Sequence, residues 1–183
     1  PRLALFPYAT LFRSFTLSAY DPDGDGLTYT SDGLPEGASL DGDAFSWTPG
    51  FDQTGVYDVT FRVTDDGSPN MSDEESIVIT ITNVNRPPEL ASIGDRTVNE
   101  GALLSFTLSA YDPDGDGLTY SSDGLPEGAL LDGAEFSWTP GFGQAGIYEV
   151  TFRVTDDGSP NLSDEETIVI TVVDVNRPPE LAA

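Results

Sequence analysis

The chain contains no cysteine and no histidine. Disulfides and thiolate metal sites are therefore excluded, as are imidazole ligands, histidine general bases and histidine pH switches. No run of about 18 apolar residues occurs, so nothing in the sequence reads as a membrane-spanning helix. No segment keeps a 3.6-residue apolar period either, so helix is nearly absent. Bases are scarce: seven stand against 32 acids, for a net charge of −25. A phosphate backbone would be repelled, which excludes nucleic acid as a partner. Such a charge strains the compact state unless cations offset it. Two readings fit it: a solubilising or salt-adapted surface, or divalent-cation binding at aspartate clusters. Aromatic residues at 10% and regular apolar alternation indicate folded domains rather than disorder.

What the chain does have is repetition. Ser14 to Tyr29, SFTLSAYDPDGDGLTY, recurs letter for letter as Ser105 to Tyr120, 91 positions later. Self-similarity at a fixed period signals an array of units. A period of this length matches one small domain, and a unit of about 90 residues buries roughly 60–65% of its unfolded surface, enough for its own core. Two copies of one surface also argue against catalysis, which needs one asymmetric pocket. The expected organisation is repeat 1 over 14–86, repeat 2 over 87–177, and the start of a truncated third unit at 178–183. Residues 1–13 do not match the stretch before Ser105. Leu5 to Ser14 resembles the translation of a sequencing-library adapter, which would make 1–13 an artefact that replaced the first strand of repeat 1. A natural divergent cap is the alternative. The chain is expected to be an internal fragment of a longer array.

Strand signals dominate each unit. Phe15, Leu17 and Ala19 alternate with Thr16 and Ser18; Tyr57, Val59, Phe61 and Val63 alternate with polar residues; so do Ile77, Ile79 and Ile81. Period two with β-branched and aromatic residues marks half-buried strands. Shorter strands fit Leu27–Thr30, Ala44–Trp47 and Arg96–Asn99. Turn formers separate them: DPDGDG, SDGLPEG, TPGF and DDGSPN. About seven strands in about 90 residues predict an all-β fold of tandem Greek-key β-sandwiches. Asn85-Arg86-Pro87-Pro88, repeated as Asn176-Arg177-Pro178-Pro179, marks unit boundaries, because Pro-Pro ends a strand and stiffens the connection. Trp47 shares a face with Phe45 and is expected in the core, as is Trp138. Arg62 and Arg153 point outward and should pair with neighbouring acids.

The chemistry lies in Asp21-Pro22-Asp23-Gly24-Asp25-Gly26 and its copy at Asp112–Gly117. Carboxylates at alternate positions let a short loop wrap its oxygens round one hard cation such as calcium, with glycine permitting the bend. Without an ion, two carboxylates about 6 Å apart cost roughly 3 kcal/mol at an effective dielectric near 20. A plain polar turn is the alternative. Asp32 and Asp123 stand twelfth, partly as in an EF-hand, but strands flank this loop and that loop ends in glutamate, so a true EF-hand is rejected.

Other acids recur in order: Thr64-Asp65-Asp66-Gly67, Asn85 in the linker, and Asn99-Glu100-Gly101. Together these motifs resemble the cadherin-like domains, most of all the bacterial immunoglobulin-like or dystroglycan-type cadherin-like tandem repeats. DPDGDG resembles the D-x-D motif, VTDDGSP the A-x-D-x-G-x-P segment, and NVNRPP the linker D-x-N-D-N-x-P. The resemblance covers the chain from Ser14 on. It implies calcium between successive domains, held by the linker of one and the acids of the next. Carried over, the implied ligands are Asn85, Asp112, Asp114 and Asp156, with Glu100, at the junction of the two repeats. Asp21, Asp23 and Asp65 would serve a junction before repeat 1. The sequence departs from the family pattern: Asn83 and Arg86 replace two linker aspartates, and TPGFDQTG occupies the place of L-D-R-E. Arg86 could pair with the acids instead of a cation. One calcium ion per junction, or none with Arg86 as substitute, is expected, with affinity near 10⁻⁴–10⁻³ M.

The resemblance and the repeats imply a non-catalytic stalk or adhesion module of a secreted or surface bacterial protein. Its partners would be neighbouring repeats, other cell-surface proteins or polysaccharide. The competing reading is a polysaccharide-binding accessory module of a secreted hydrolase, using Tyr20, Tyr111 and Phe51. Glycoside cleavage by paired acids is disfavoured, because the aspartates lie in repeated turns.

Overall fold

A computed structural model describes residues 3–6 and 12–179. The chain forms two compact units, Pro1–Val84 and Asn85–Ala183, so Asn85 and Arg86 belong to the second. Residues 1–2 and 7–11 of the unmatched N-terminal stretch, and 180–183 at the other end, lie outside the described residues.

The first unit contains β1 (Leu3–Phe6), β2 (Arg13–Thr16), β3 (Leu27–Asp32), β4 (Ser39–Asp41), β5 (Ala44–Trp47), β6 (Gly55–Asp65) and β7 (Ser72–Ile81). One sheet runs β1-β7-β6-β3 and the other β2-β5-β4. The second unit contains β8 (Glu89–Leu90), β9 (Arg96–Asn99), β10 (Leu104–Thr107), β11 (Ala110–Tyr111), β12 (Leu118–Asp123), β13 (Leu130–Asp132), β14 (Glu135–Trp138), β15 (Gly146–Asp156) and β16 (Ser163–Val173). Its sheets run β12-β15-β16-β9 and β10-β14-β13, with β8 and β11 as an added pair. Apart from one 3-10 turn at Phe51–Gln53, the regular structure of the described residues is strand. The fold is all-β, with the chain passing between two facing sheets in the Greek-key manner that the period-two alternation predicts.

Each core forms between the sheets. In the second unit Phe136 and Trp138 from one sheet meet Val150, Phe152, Ile168, Ile170 and Val172 from the other. In the first, Phe45 and Trp47 meet Val59, Phe61, Ile79 and Ile81. Both tryptophans are core residues, as their pairing with Phe45 and Phe136 along the strands requires. Each indole N–H donates to a backbone carbonyl, of Glu36 and Glu127, so burial leaves no polar atom unmet. The phenylalanine trios pack stacked and edge-to-face, with Phe106 and Phe136 centroids 4.8 Å apart. Outward-facing Arg62 pairs with Glu74 and Arg153 with Glu165, on strand faces more than half exposed.

Two features depart from the sequence reading. The three-residue strands β4 and β13 were hidden, because SLD and LLD are too short to show a period. The strand expected through Ala19 stops at Thr16, whereas its counterpart resumes as β11. The cause is pairing: Ala110 and Tyr111 have β8 opposite them, and no described residue plays that part for Ala19 and Tyr20.

Candidate cation site

The acidic corner of the second unit is built by strand register. Leu118, the first residue of β12, lies opposite Asp156, the last of β15. The loop Asp112–Gly117 therefore closes beside Asp156 and Asp157. Asp112 organises it: its Oδ1 accepts from the backbone N–H of Asp114 at 2.8 Å and of Asp116 at 3.1 Å. Gly115, at φ +81°, makes the reversal that an L side chain would resist. Gly117 N–H donates to Asp157 Oδ1 at 2.7 Å and ties the loop to the β15 end.

The linker lies on this corner. Arg86 donates from its backbone N–H to Asp114 Oδ2 at 2.7 Å, and from Nε and Nη2 to Oδ1 at 3.0 and 2.8 Å. It also reaches the Pro113 carbonyl at 2.7 Å. Asn85 Nδ2 donates to Asp156 Oδ2 at 3.1 Å and to the Pro160 carbonyl at 2.9 Å. Its amide lies flat on Gly158, where any side chain would collide with it. Asp156 Oδ1 takes the N–H groups of Gly158 and Leu162.

Electrostatics divides the acids into two kinds. Hydrogen bonds from Arg86 hold the Asp114 carboxyl below the usual range. Lost hydration, then the charges of Asp112, Asp157, Asp114 and Asp156, push the Asp116 carboxyl up. One oxygen each of Asp112, Asp114 and Asp116 lie within 4.8 Å of one another. Asp112 is only 4% exposed, and its Oδ2 has no partner. Asn85 Oδ1 is likewise buried and unpartnered. A buried carboxylate oxygen without a donor costs free energy that a hard cation would recover. The residues thus fit a single oxygen-ligated ion. Asp112 and Asp116 would hold it, while Asp114 already has both oxygens on Arg86.

Of the ligands implied by the sequence, the structure brings together Asn85, Asp112, Asp114 and Asp156. Glu100 is not among them. Its carboxylate accepts the N–H groups of Gly143 at 2.6 Å, Ala145 at 3.1 Å and Val175 at 3.1 Å. Those bonds, with that of Gly143 foremost, lower its pKa, and they make it a brace for the turn after β14. Asp123 is at the far end of β12 and accepts only from Gly124 N–H at 3.0 Å. In the first unit Asp21 accepts from Asp23 and Asp25 N–H in the same way, and Asp65 from Gly67 and Met71 N–H. There Asp21 is half-buried and Asp23 is exposed. Among the described residues the convergence of three carboxylates occurs in the second unit alone. Sequence reading left Asp116 and Asp157 outside the ligand set. Their signal was the third aspartate of D-x-D-x-D and the second of the Asp-Asp pair.

Two sandwiches, one with its linker seated on an acidic loop, define an immunoglobulin-like repeat protein. Residues 9–82 and 87–173 match the family described as "Putative Ig domain", and the chain belongs to that family. Among curated proteins it is 33% identical over 106 residues to chitinase A of Pseudoalteromonas piscicida, covering 56% of this chain and 13% of that protein. It is 26% identical over 142 residues to human protocadherin Fat 1, covering 69% of this chain and 3% of that protein. The chain thus spans a small part of the length of these relatives. Solved structures of similar fold include mouse cadherin-23 EC22-24, with TM-score 0.59 and 21% identity over 94% of this chain and 63% of that one. Drosophila N-cadherin EC1-4 gives TM-score 0.63 and 16% identity over 94% and 47%.

Proposed function

We propose that this chain is a calcium-associated, non-catalytic structural and adhesion repeat of a larger secreted or surface-anchored bacterial protein. The observation that supports it most is the linker lying on the acidic corner, with Asp112 Oδ2 buried and without a donor. In this reading one Ca²⁺ completes the corner through Asp112 and Asp116, and Arg86 supplies a second, tethered positive charge at Asp114. Ion and arginine together fix the approach of the chain into the sandwich that follows it. A spacer needs that fixed approach, and a repeated surface needs no unique pocket. Neighbouring repeats are the first partners in this reading. A net charge of −25 opposes binding to nucleic acid. No helix among the described residues is long and apolar enough to cross a membrane.

Thermal melting in EDTA and then in 10 mM CaCl₂ tests the reading, because a ligand that binds only the folded state raises the midpoint. At an affinity of about 10⁻⁴–10⁻³ M the gain is about 1.4–2.7 kcal/mol. Asp112→Asn should abolish the gain. An unchanged midpoint in the unaltered protein removes calcium from the account and leaves Arg86 as the sole counter-charge.

A second reading, a polysaccharide-binding accessory module of a hydrolase, is favoured by the match to a bacterial chitinase and by the exposed rings of Tyr20 and Tyr111. Retention of this chain on chitin or another insoluble glycan, lost in Tyr111→Ala, would establish it.

A further inference from the structure

The first unit carries an open groove of about 490 Å³ between its sheets, lined by Leu17, Ala19, Val63, Asp73, Glu75 and Ile77 among others. The second unit shows what belongs in such a groove. There the segment 89–95 runs over the equivalent residues, with Glu89–Leu90 paired as β8. Leu90 lies opposite Ala110 in the β8–β11 pair, and Ala91 N–H donates to the Ser109 carbonyl at 2.8 Å. Asp164 Oδ2 accepts Leu90 N–H at 2.8 Å. Glu166 clamps two further amides, Ile93 at 2.7 Å and Gly94 at 2.9 Å. Leu90 and Ile93 turn inward against the core.

The receiving residues recur in the first unit, where no strand among the described residues pairs with them. Ser18, Ala19, Asp73 and Glu75 stand where Ser109, Ala110, Asp164 and Glu166 stand in the second. No described residue fills the groove above them. Asp73 and Glu75 are exposed where Asp164 and Glu166 are half-buried. Leu17 and Ile77 are half-buried where Leu108 and Ile168 are buried. The groove thus presents the Ser18–Ala19 backbone with no described strand opposite it, an apolar floor and two carboxylates at the height of a strand's N–H groups. Carboxylates at that height suit backbone N–H donors.

We propose that this groove is a docking site for an extended peptide strand of the Pro87–Asp95 type, PPELASIGD, which adds to the first unit as the equivalent segment does in the second. Recognition is strand addition: backbone amides bond Ser18, Asp73 and Glu75, and the leucine and isoleucine fill the floor. The groove adjoins Asp21 and Asp65 through Ala19, Val63 and Asp73, so the test is run in chelator, where its outcome is read apart from that of calcium.

The test uses the 183-residue protein in EDTA and a synthetic PPELASIGD peptide, read by ¹H–¹⁵N NMR and by thermal melting. The expected result is saturable shifts at Leu17–Ala19 and Asp73–Ile77. The melting of the first unit should rise on the order of 10 °C at peptide about 100 times Kd. A peptide with Leu90→Asp and Ile93→Asp should not bind. The protein variant Asp73→Lys/Glu75→Lys, altered at exposed positions that leave the core intact, should bind about tenfold more weakly or worse. No shifts at millimolar peptide, shifts away from the groove, or equal binding by the altered peptide or the altered protein would each overturn the proposal.

Discussion

The two units share most of their sequence yet differ in what their carboxylates do. In the second, Asp112 is buried, Asp114 is neutralised by Arg86, Glu166 caps two amides and Glu100 three. In the first, Asp21 is half-buried, Asp23 is exposed and Glu75 faces an open groove. Identical motifs thus acquire different physics from what lies on them. A linker and an edge strand convert exposed acids into buried, hydrogen-bonded ones. The motif is only half of the site, and the chain entering the sandwich supplies the rest.

Paired substitutions can break this comparison. The largest difference should lie in the cores. Phe152→Ala should cost about 3–5 kcal/mol, while Phe61→Ala, bordering the open groove, should fall at or below the lower end of that range. Denaturant unfolding of each variant measures both. Next comes Arg86→Ala. In chelator it should destabilise the second unit by about 1–3 kcal/mol, because Asp114 Oδ1 loses both guanidinium hydrogen bonds and their charge while Oδ2 keeps the backbone N–H of residue 86. Calcium should recover part of that loss, since a freed Asp114 joins the ligands. A loss that calcium does not reduce would separate the arginine from the cation site.

Glu166→Ala should cost about 1.5–3 kcal/mol through two orphaned amides, whereas Glu75→Ala should stay within about 0.5 kcal/mol. The same asymmetry should appear with pH. Glu100 and Glu166 both titrate below their ordinary value of 4.5 because backbone N–H groups favour the ionised form. Their stabilisation is present in full above that pH and fades as the pH falls through the lowered values. Calorimetry from pH 6 to pH 3 should therefore show the second unit, with Glu100, Glu166 and Asp114 all held low, losing more stability in the acid range than the first, where Asp21 is held low by backbone N–H groups. The smallest effect should come from Arg62→Ala and Arg153→Ala. Both ion pairs are exposed, and each variant should change stability by less than about 1 kcal/mol, equally in the two units.

Much of the architecture was legible because it is written in alternation. Phe45 and Trp47, Val59 and Phe61, Ile79 and Ile81 sit two apart and face one core. The acidic loop was legible from D-x-D-x-D spacing. The role of Glu100 was not, because a carboxylate that caps amides and one that binds an ion have the same letter. Only the fold shows that its neighbours are the N–H groups of Gly143, Ala145 and Val175. The seating of Arg86 on Asp114 was visible as chemistry, but its three hydrogen bonds depend on a β12–β15 register that no local pattern encodes. The open groove was likewise invisible, since it reflects what lies beside Ala19 among the described residues rather than any local pattern.

A calcium titration followed residue by residue in the ¹H–¹⁵N spectrum tests the central claim most directly. The account predicts saturable shifts confined to Asn85–Arg86, Asp112–Gly117 and Asp156–Gly158, absent in Asp112→Asn. Small shifts spread evenly over the acidic surface of both units, unchanged by that substitution, would contradict it.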